Sequence, residues 1–122
     1  MDSKQIEKEL QNELNGLLGT IKESIGLNDT AFLKERSFRN NPETGVFEGY
    51  TSAKFLIYPK QEDIINTIIE DFKIENERDV FIKSSYMGSD VDVDKITIAL
   101  GVNGPEDYTR LKEAEKASGR RI

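Results

Sequence analysis

The chain has 122 residues, 36% of them apolar, enough to bury one modest core and too few to divide comfortably into two, so residues 1–122 read as a single domain. Acidic side chains outnumber basic ones by 23 to 17, and the net charge of −6 opposes nonspecific attraction to nucleic acids and anionic membranes. The absence of histidine and cysteine removes the usual general base near neutral pH, thiolate chemistry, disulfides and ordinary structural zinc sites. Met1 to Lys8 carries charges where a signal peptide needs an apolar run, and no stretch approaches a membrane span, so a soluble cytoplasmic protein is expected.

Taken in chain order, the first element is the clearest. Ile6, Leu10, Leu14, Leu17, Leu18, Ile21 and Ile25 recur at spacings of three and four and predict a long amphipathic helix within residues 1–27. Asp2 with Gln5 resembles a capping box, and Gly26 supplies a stop. Gly16 and Gly19 each cost such a helix about 1 kcal/mol against alanine. Either they admit a close helix–helix contact, for instance between subunits, or the helix is unoptimised or broken near residue 16. A short mixed segment, Phe32 to Phe38, precedes "RNNPETG", whose Asn, Pro and Gly mark a connection between strands. Phe47, Thr51, Ala53, Phe55 and Ile57 then share one parity and Glu48, Tyr50, Ser52 and Lys54 the other, which predicts a half-buried strand, the second arm of a hairpin.

Beyond Pro59, Ile64, Ile65, Ile68, Ile69 and Phe72 form a second helical stripe, one that packing against a sheet must hold because isoleucine is a middling helix former. Val80 to Tyr86 reads as a third strand and Lys95 to Val102 as a fourth. Between them, "SDVDVD" places Asp90, Asp92 and Asp94 on alternate positions, as an EF-hand loop does at its first, third and fifth positions. The sixth position is Lys95 and the twelfth Gly101, where that loop requires Gly and Glu, so a calcium loop is rejected. Val91 and Val93 differ in parity from Ile96, Ile98 and Leu100, which calls for a bulge or turn near Asp94-Lys95 in a solvated hairpin loop.

The last element opens at "NGPEDY". Asn103 or Gly104 can cap it, Pro105 suits the first helical position, and the helix within 105–122 should run to about Ser118. Its apolar content is thin, so it is expected on the outside of the domain or against a neighbouring subunit. Charge is unevenly placed: residues 61–107 sum to −8 and residues 108–122 to +3. The basic end carries Arg110, Lys112, Lys116, Arg120 and Arg121. Those cations can pair with acids of their own domain, reach an acidic face on the next subunit, or hold an anionic ligand. In the last case Arg110, Lys116, Arg120 and Arg121 bind the anion, and Tyr108, with Phe47 or Tyr50, stacks on an aromatic portion.

No GxSxG, Walker A or GxGxxG motif is present, and no catalytic residue, cofactor or metal ligand is assigned. The expected architecture is α+β: a long N-terminal helix, a hairpin, a central helix, a second hairpin and a short C-terminal helix, with helices covering the apolar face of a mostly antiparallel four-stranded sheet. In element order this is similar to phage tail-completion and tail-terminator proteins, which assemble as rings. The likeness covers about residues 4 to 102 and rests on topology, not on a motif. It implies a non-enzymatic homo-oligomeric assembly protein in a host cytoplasm or virion. The alternatives are a protein that binds a small anionic ligand such as a nucleotide, and an acidic inhibitor of a nucleic-acid enzyme, for which −6 is a modest charge.

Overall fold

The computed structural model describes residues 2–88 and 92–117. Helix α1, Ser3–Ile25, begins where the Asp2 carboxylate accepts from the Gln5 backbone N–H at 2.9 Å and ends at Gly26, whose φ of 74° makes it a left-handed cap. It runs unbroken through Gly16 and Gly19, and a Cβ at either position would meet nothing within 4 Å, so no contact inside this chain accounts for these glycines. Strands β1, Leu33–Asn40, and β2, Phe47–Ile57, form the first hairpin. Its turn is held by the Asn41 side-chain oxygen, which accepts from the N–H of Glu43 at 2.8 Å and of Thr44 at 3.3 Å, while Gly45 supplies the required positive φ of 72°.

Helix α2, Glu62–Asn76, crosses to the second hairpin, β3, Phe81–Tyr86, and β4, Asp94–Gly101. The two hairpins join through an antiparallel β2–β4 pairing, so the strand order is β1-β2-β4-β3 and the architecture is the expected α+β, with every pairing antiparallel. Helix α3, Glu106–Ala117, completes the chain as far as it is described.

Leu10, Leu14, Leu17, Leu18 and Ile21 of α1 and Ile65, Ile69 and Phe72 of α2 bury themselves against Ala53, Phe55, Ile57, Ile96, Ile98 and Leu100 of the central strands. Three expectations for this region need correction. Ile64 belongs to the α2 stripe by spacing but is exposed, because the face of α2 that meets the sheet is centred on Ile65 and Ile69. The aspartate-rich hairpin is not wholly solvated: Asp94 opens β4 and is buried. Asp90 lies outside the described residues. Most consequentially, β2 is buried on both faces from Glu48 to Ala53, not half-buried.

The second face is covered by α3, which packs on the outside of its own sheet. Tyr108 and Leu111 close over Tyr50, Ala99 and Phe81 as a second, smaller core. Tyr108 meets Tyr50 edge-to-face at 4.8 Å and Phe81 at the same separation, contacts worth about 0.5–1.5 kcal/mol each beyond the area they bury. The helix start is pinned by Asp107, 1% exposed, whose Oδ2 accepts from the backbone N–H of Gly49 at 3.1 Å and of Asn103 at 3.2 Å. This close approach demands glycine at 101, where a Cβ would stand 2.0 Å from the Gly104 carbonyl oxygen and 2.9 Å from the Asp107 Cβ; Gly49 is required for a separate reason, since a Cβ there would stand 2.5 Å from the Ser37 carbonyl oxygen of β1.

Gly101→Ala is therefore expected to destabilise the protein by at least about 2 kcal/mol through overpacking, whereas Gly19→Ala, with open space at its Cβ, should stabilise it by about 1 kcal/mol. Urea denaturation monitored by circular dichroism reads both signs. The pH dependence at the other end of the sheet has a clear sign too. The Asp94 carboxylate beside Glu62, with burial acting in the same direction, raises the Glu62 pKa. A raised pKa means that stability is fully present below the unfolded value of about 4.3 and is lost as pH rises through the folded value. Asp94→Asn removes the like-charge neighbour, so its melting temperature should exceed wild type near neutral pH and the gap should close in acid.

Candidate anion-binding cleft

The register of the sheet decides which polar side chains meet on the α3 side. Lys54, Thr97 and Lys83 are direct cross-strand neighbours on β2, β4 and β3, and the next row holds Leu56, Lys95 and Ser85. Because residues opposite one another in an antiparallel pair share a face, three lysines from three strands emerge together. Helix α3 passes over the neighbouring rows, and its later turns bring Lys112 and Lys116 to the same place. The result is a cleft of about 350 Å³ with Phe81, Tyr108 and Thr97 beneath it and five lysines, 54, 83, 95, 112 and 116, around it. Glu113 is the one acidic side chain in its wall.

Four of these ammonium groups, those of Lys54, Lys83, Lys95 and Lys116, make no ion pair with the described residues. The fifth, Lys112, bridges to Glu35, whose Oε1 also accepts from the Tyr50 hydroxyl at 3.2 Å. Burial opposes the charge on Lys112, but the bond to Glu35 and the nearby Tyr50 outweigh it and raise its pKa. Burial, with the Glu35 charge, pushes Tyr50 up to about 12. Glu35 moves the other way: burial would raise it, but Lys112 and Tyr50 hold it below the ordinary carboxylate range. Uncovered apolar surface adjoins the lysines, since Leu33, opposite Lys54, is 70% exposed and Leu56, opposite Lys95, is 49% exposed.

The residues expected to bind an anion divide accordingly. Tyr108 and Lys116 line the cleft, although Tyr108 is buried and offers an edge of floor, not a stacking face. Arg110 points away. Its half-exposed guanidinium donates to the buried carboxylates Glu48 and Asp107, and Arg39 reaches the same Glu48 at 2.6 Å, so Arg110 is already engaged as a counter-ion within the chain. Glu48 is 2% exposed; burial would raise its pKa, and the bonds from Arg39, Arg110 and Asn41 lower it instead. Arg120 and Arg121 lie outside the described residues. The aromatic candidates fall away as well, because Tyr50 is buried and Phe47 already stacks on Phe38 at 6.1 Å.

Lys54, Lys83 and Lys95 are the residues that sequence reasoning missed. Parity placed Lys54 on a polar face, but no periodic signal links it to Lys83 and Lys95, 29 and 41 residues later, and the link exists only in the register. Among the described residues no three Asp, Glu, His or Cys side chains gather where they could hold a metal ion. No described helix is long and apolar enough to cross a membrane. No family model, curated protein or solved structure matches the chain. The likeness to tail-completion and tail-terminator proteins is therefore one of element order alone, and a functional reading has to come from the geometry.

Glu35, the ion-pair partner of the cleft residue Lys112, offers a titration test. Its lowered pKa contributes stability that is present above the unfolded value of about 4.3 and lost as pH falls through the folded one. A glutamine cannot titrate, so the acid limb of the melting-temperature profile should be flatter in Glu35→Gln than in wild type. A profile parallel to wild type would place the acid sensitivity elsewhere.

Proposed function

We propose that the protein is a non-catalytic binding protein that holds a small phosphate-bearing molecule in the lysine cleft. One observation carries the reading: in a chain of net charge −6, five of the eleven lysines converge on one cleft and four of them make no ion pair with the described residues. No two of these lysines are directly opposite, but Lys95 lies diagonally across the ladder from both Lys54 and Lys83, near enough for like charges to repel. A polyanion removes that repulsion and receives several ammonium donors at once. Lysines act as mobile point charges where arginine forks would fix one geometry, which suits a flexible or multiply charged group over a single planar carboxylate.

Size and field favour a small ligand over a nucleic acid. A cleft of about 350 Å³ is at the low end of small-molecule sites. A long polyanion would also feel the acidic remainder of the surface. Leu33, Leu56 and Phe81 provide apolar surface for an uncharged portion of the ligand. No general base or activated nucleophile lines the cleft, so the reading is of binding and not turnover.

The test is thermal shift and calorimetry with inorganic phosphate, pyrophosphate and a panel of nucleoside di- and triphosphates. A ligand at 100 times its Kd stabilises the fold by about 2.7 kcal/mol, equivalent to a rise on the order of 10 °C in melting temperature for a domain of this size. Affinity should rise with phosphate count and fall steeply with salt. In Lys54→Gln/Lys83→Gln the shift should vanish, while the unliganded melting temperature is unchanged or higher because a repulsion has been removed. No shift with any phosphate at low salt, or an undiminished one in the double variant, would rule the reading out.

A further inference from the structure

The lysine cleft is one end of a wider open area of the sheet. Helix α3 closes over Tyr50, Ala99 and Phe81 and leaves the next rows of the same face uncovered. The first of these reads Leu33, Lys54, Thr97, Lys83 across β1, β2, β4 and β3, and the second Leu56, Lys95, Ser85 across β2, β4 and β3. Leucine and lysine are therefore direct neighbours twice, Leu33 beside Lys54 and Leu56 beside Lys95, and both leucines are exposed. Neither row holds a carboxylate. Glu35, two residues from Leu33 on β1, is engaged by Lys112. An exposed leucine alone means little, but two of them set among lysines that make no ion pair with the described residues give a face that is apolar and cationic together.

That combination says what kind of molecule the phosphate is attached to. A phosphate above the buried Thr97 has Lys54 on one side, Lys83 on the other and Lys95 along the same strand. From that point the apolar surface runs past Leu56 to Leu33, two strand spacings or ~10 Å away. A nucleobase needs the face of an aromatic ring to stack on. The rings at this cleft are already packed on one another, Phe81 on Tyr108 and Tyr108 on Tyr50, each pair at 4.8 Å. Leu33 and Leu56 supply aliphatic surface instead, which gains from an alkyl chain that leaves water with it.

We propose that the ligand of the lysine cleft is a single-chain alkyl phosphate, its phosphate held by Lys54, Lys83 and Lys95 and its chain laid across Leu56 and Leu33. The assignment rests on the phosphate reading and narrows it to an amphiphile. A phosphate presented by a bilayer fits this face less well. Helix α3, ~10 Å thick with its side chains, stands as a wall beside the open rows, so a flat surface meets the helix before it meets the leucines. The net charge of −6 also opposes approach to an anionic membrane.

Calorimetry at low salt with methyl, butyl, hexyl and octyl phosphate, each below its critical micelle concentration, tests the assignment. Each methylene that leaves water should tighten binding about two- to fourfold, so octyl phosphate should bind at least tenfold more tightly than butyl phosphate. In Leu33→Asn/Leu56→Asn that ratio should fall below threefold, with the circular dichroism spectrum unchanged because both side chains are exposed. Lys54→Gln/Lys83→Gln should lose binding at every chain length. Equal affinity along the series, with pyrophosphate still bound, would overturn the alkyl assignment and leave the phosphate reading standing, whereas no binding of any phosphate would remove both. A ratio undiminished in the leucine variant, or binding to phosphatidic acid vesicles without binding to monomeric octyl phosphate, would also overturn it.

Discussion

A single buried carboxylate holds the two sides of this molecule together. Asp107 gathers the backbone of β2 at Gly49, the loop after β4 at Asn103 and the guanidinium of Arg110. Glu48, also buried, shares Arg110 and adds Arg39 and Asn41. Burying carboxylates is costly unless their lone pairs are filled, and breaking such a pair strands a charge at a cost of about 3–5 kcal/mol. Here the filling groups come from β1, β2, the β4–α3 loop and α3, so the charges are satisfied only when all four are in place. The network therefore acts as a register device: it fixes where α3 begins and what it covers, and so which part of the sheet face is left as a cleft.

This explains which features could be read from the residues alone. The α1 stripe, its Asp2 and Gly26 ends, the "RNNPETG" turn and the presence of strand β2 follow from short-range rules, and each appears where those rules put it. The second face does not follow from such rules. Tyr50 and Ser52 look like the solvent side of a half-buried strand because nothing local announces that Tyr108 and Leu111, nearly sixty residues later, cover them. Asp107 was legible as a helix-dipole residue of the first turn, a role common at the surface, whereas its burial depends on Gly101 permitting contact. Arg110 shows the same limit, since a cation in a basic stretch cannot be told from the counter-ion of a buried carboxylate until its partner Glu48 is located.

Charge is sorted by layer and not by segment. The acidic middle of the chain contributes α2, with Asp71 and Glu75 lining a groove between α1 and α2, but also Lys83 and Lys95, which the sheet turns to the opposite face. The first half, nearly neutral overall, supplies Lys54 to the cleft and Glu9 to the groove. Averaging charge along the sequence conceals this polarity, because alternate strand residues point to opposite sides and cancel in any window. Folding resolves it into one face rich in ammonium groups and one rimmed by carboxylates, several of each making no ion pair with the described residues, separated by a sheet whose interior is apolar.

The strand order β1-β2-β4-β3 leaves two edges whose outward N–H and C=O groups are available to any strand that approaches. Both are guarded. Lys34, Glu35, Arg36 and Arg39 crowd β1 with charges of both signs, and β3 is six residues long with Lys83 in its middle. Desolvating those charges to add a ladder would cost more than the new backbone bonds return. The molecule is thus insulated against templated sheet growth, the route by which small α+β domains most readily aggregate, and its encounters with other molecules are left to side chains.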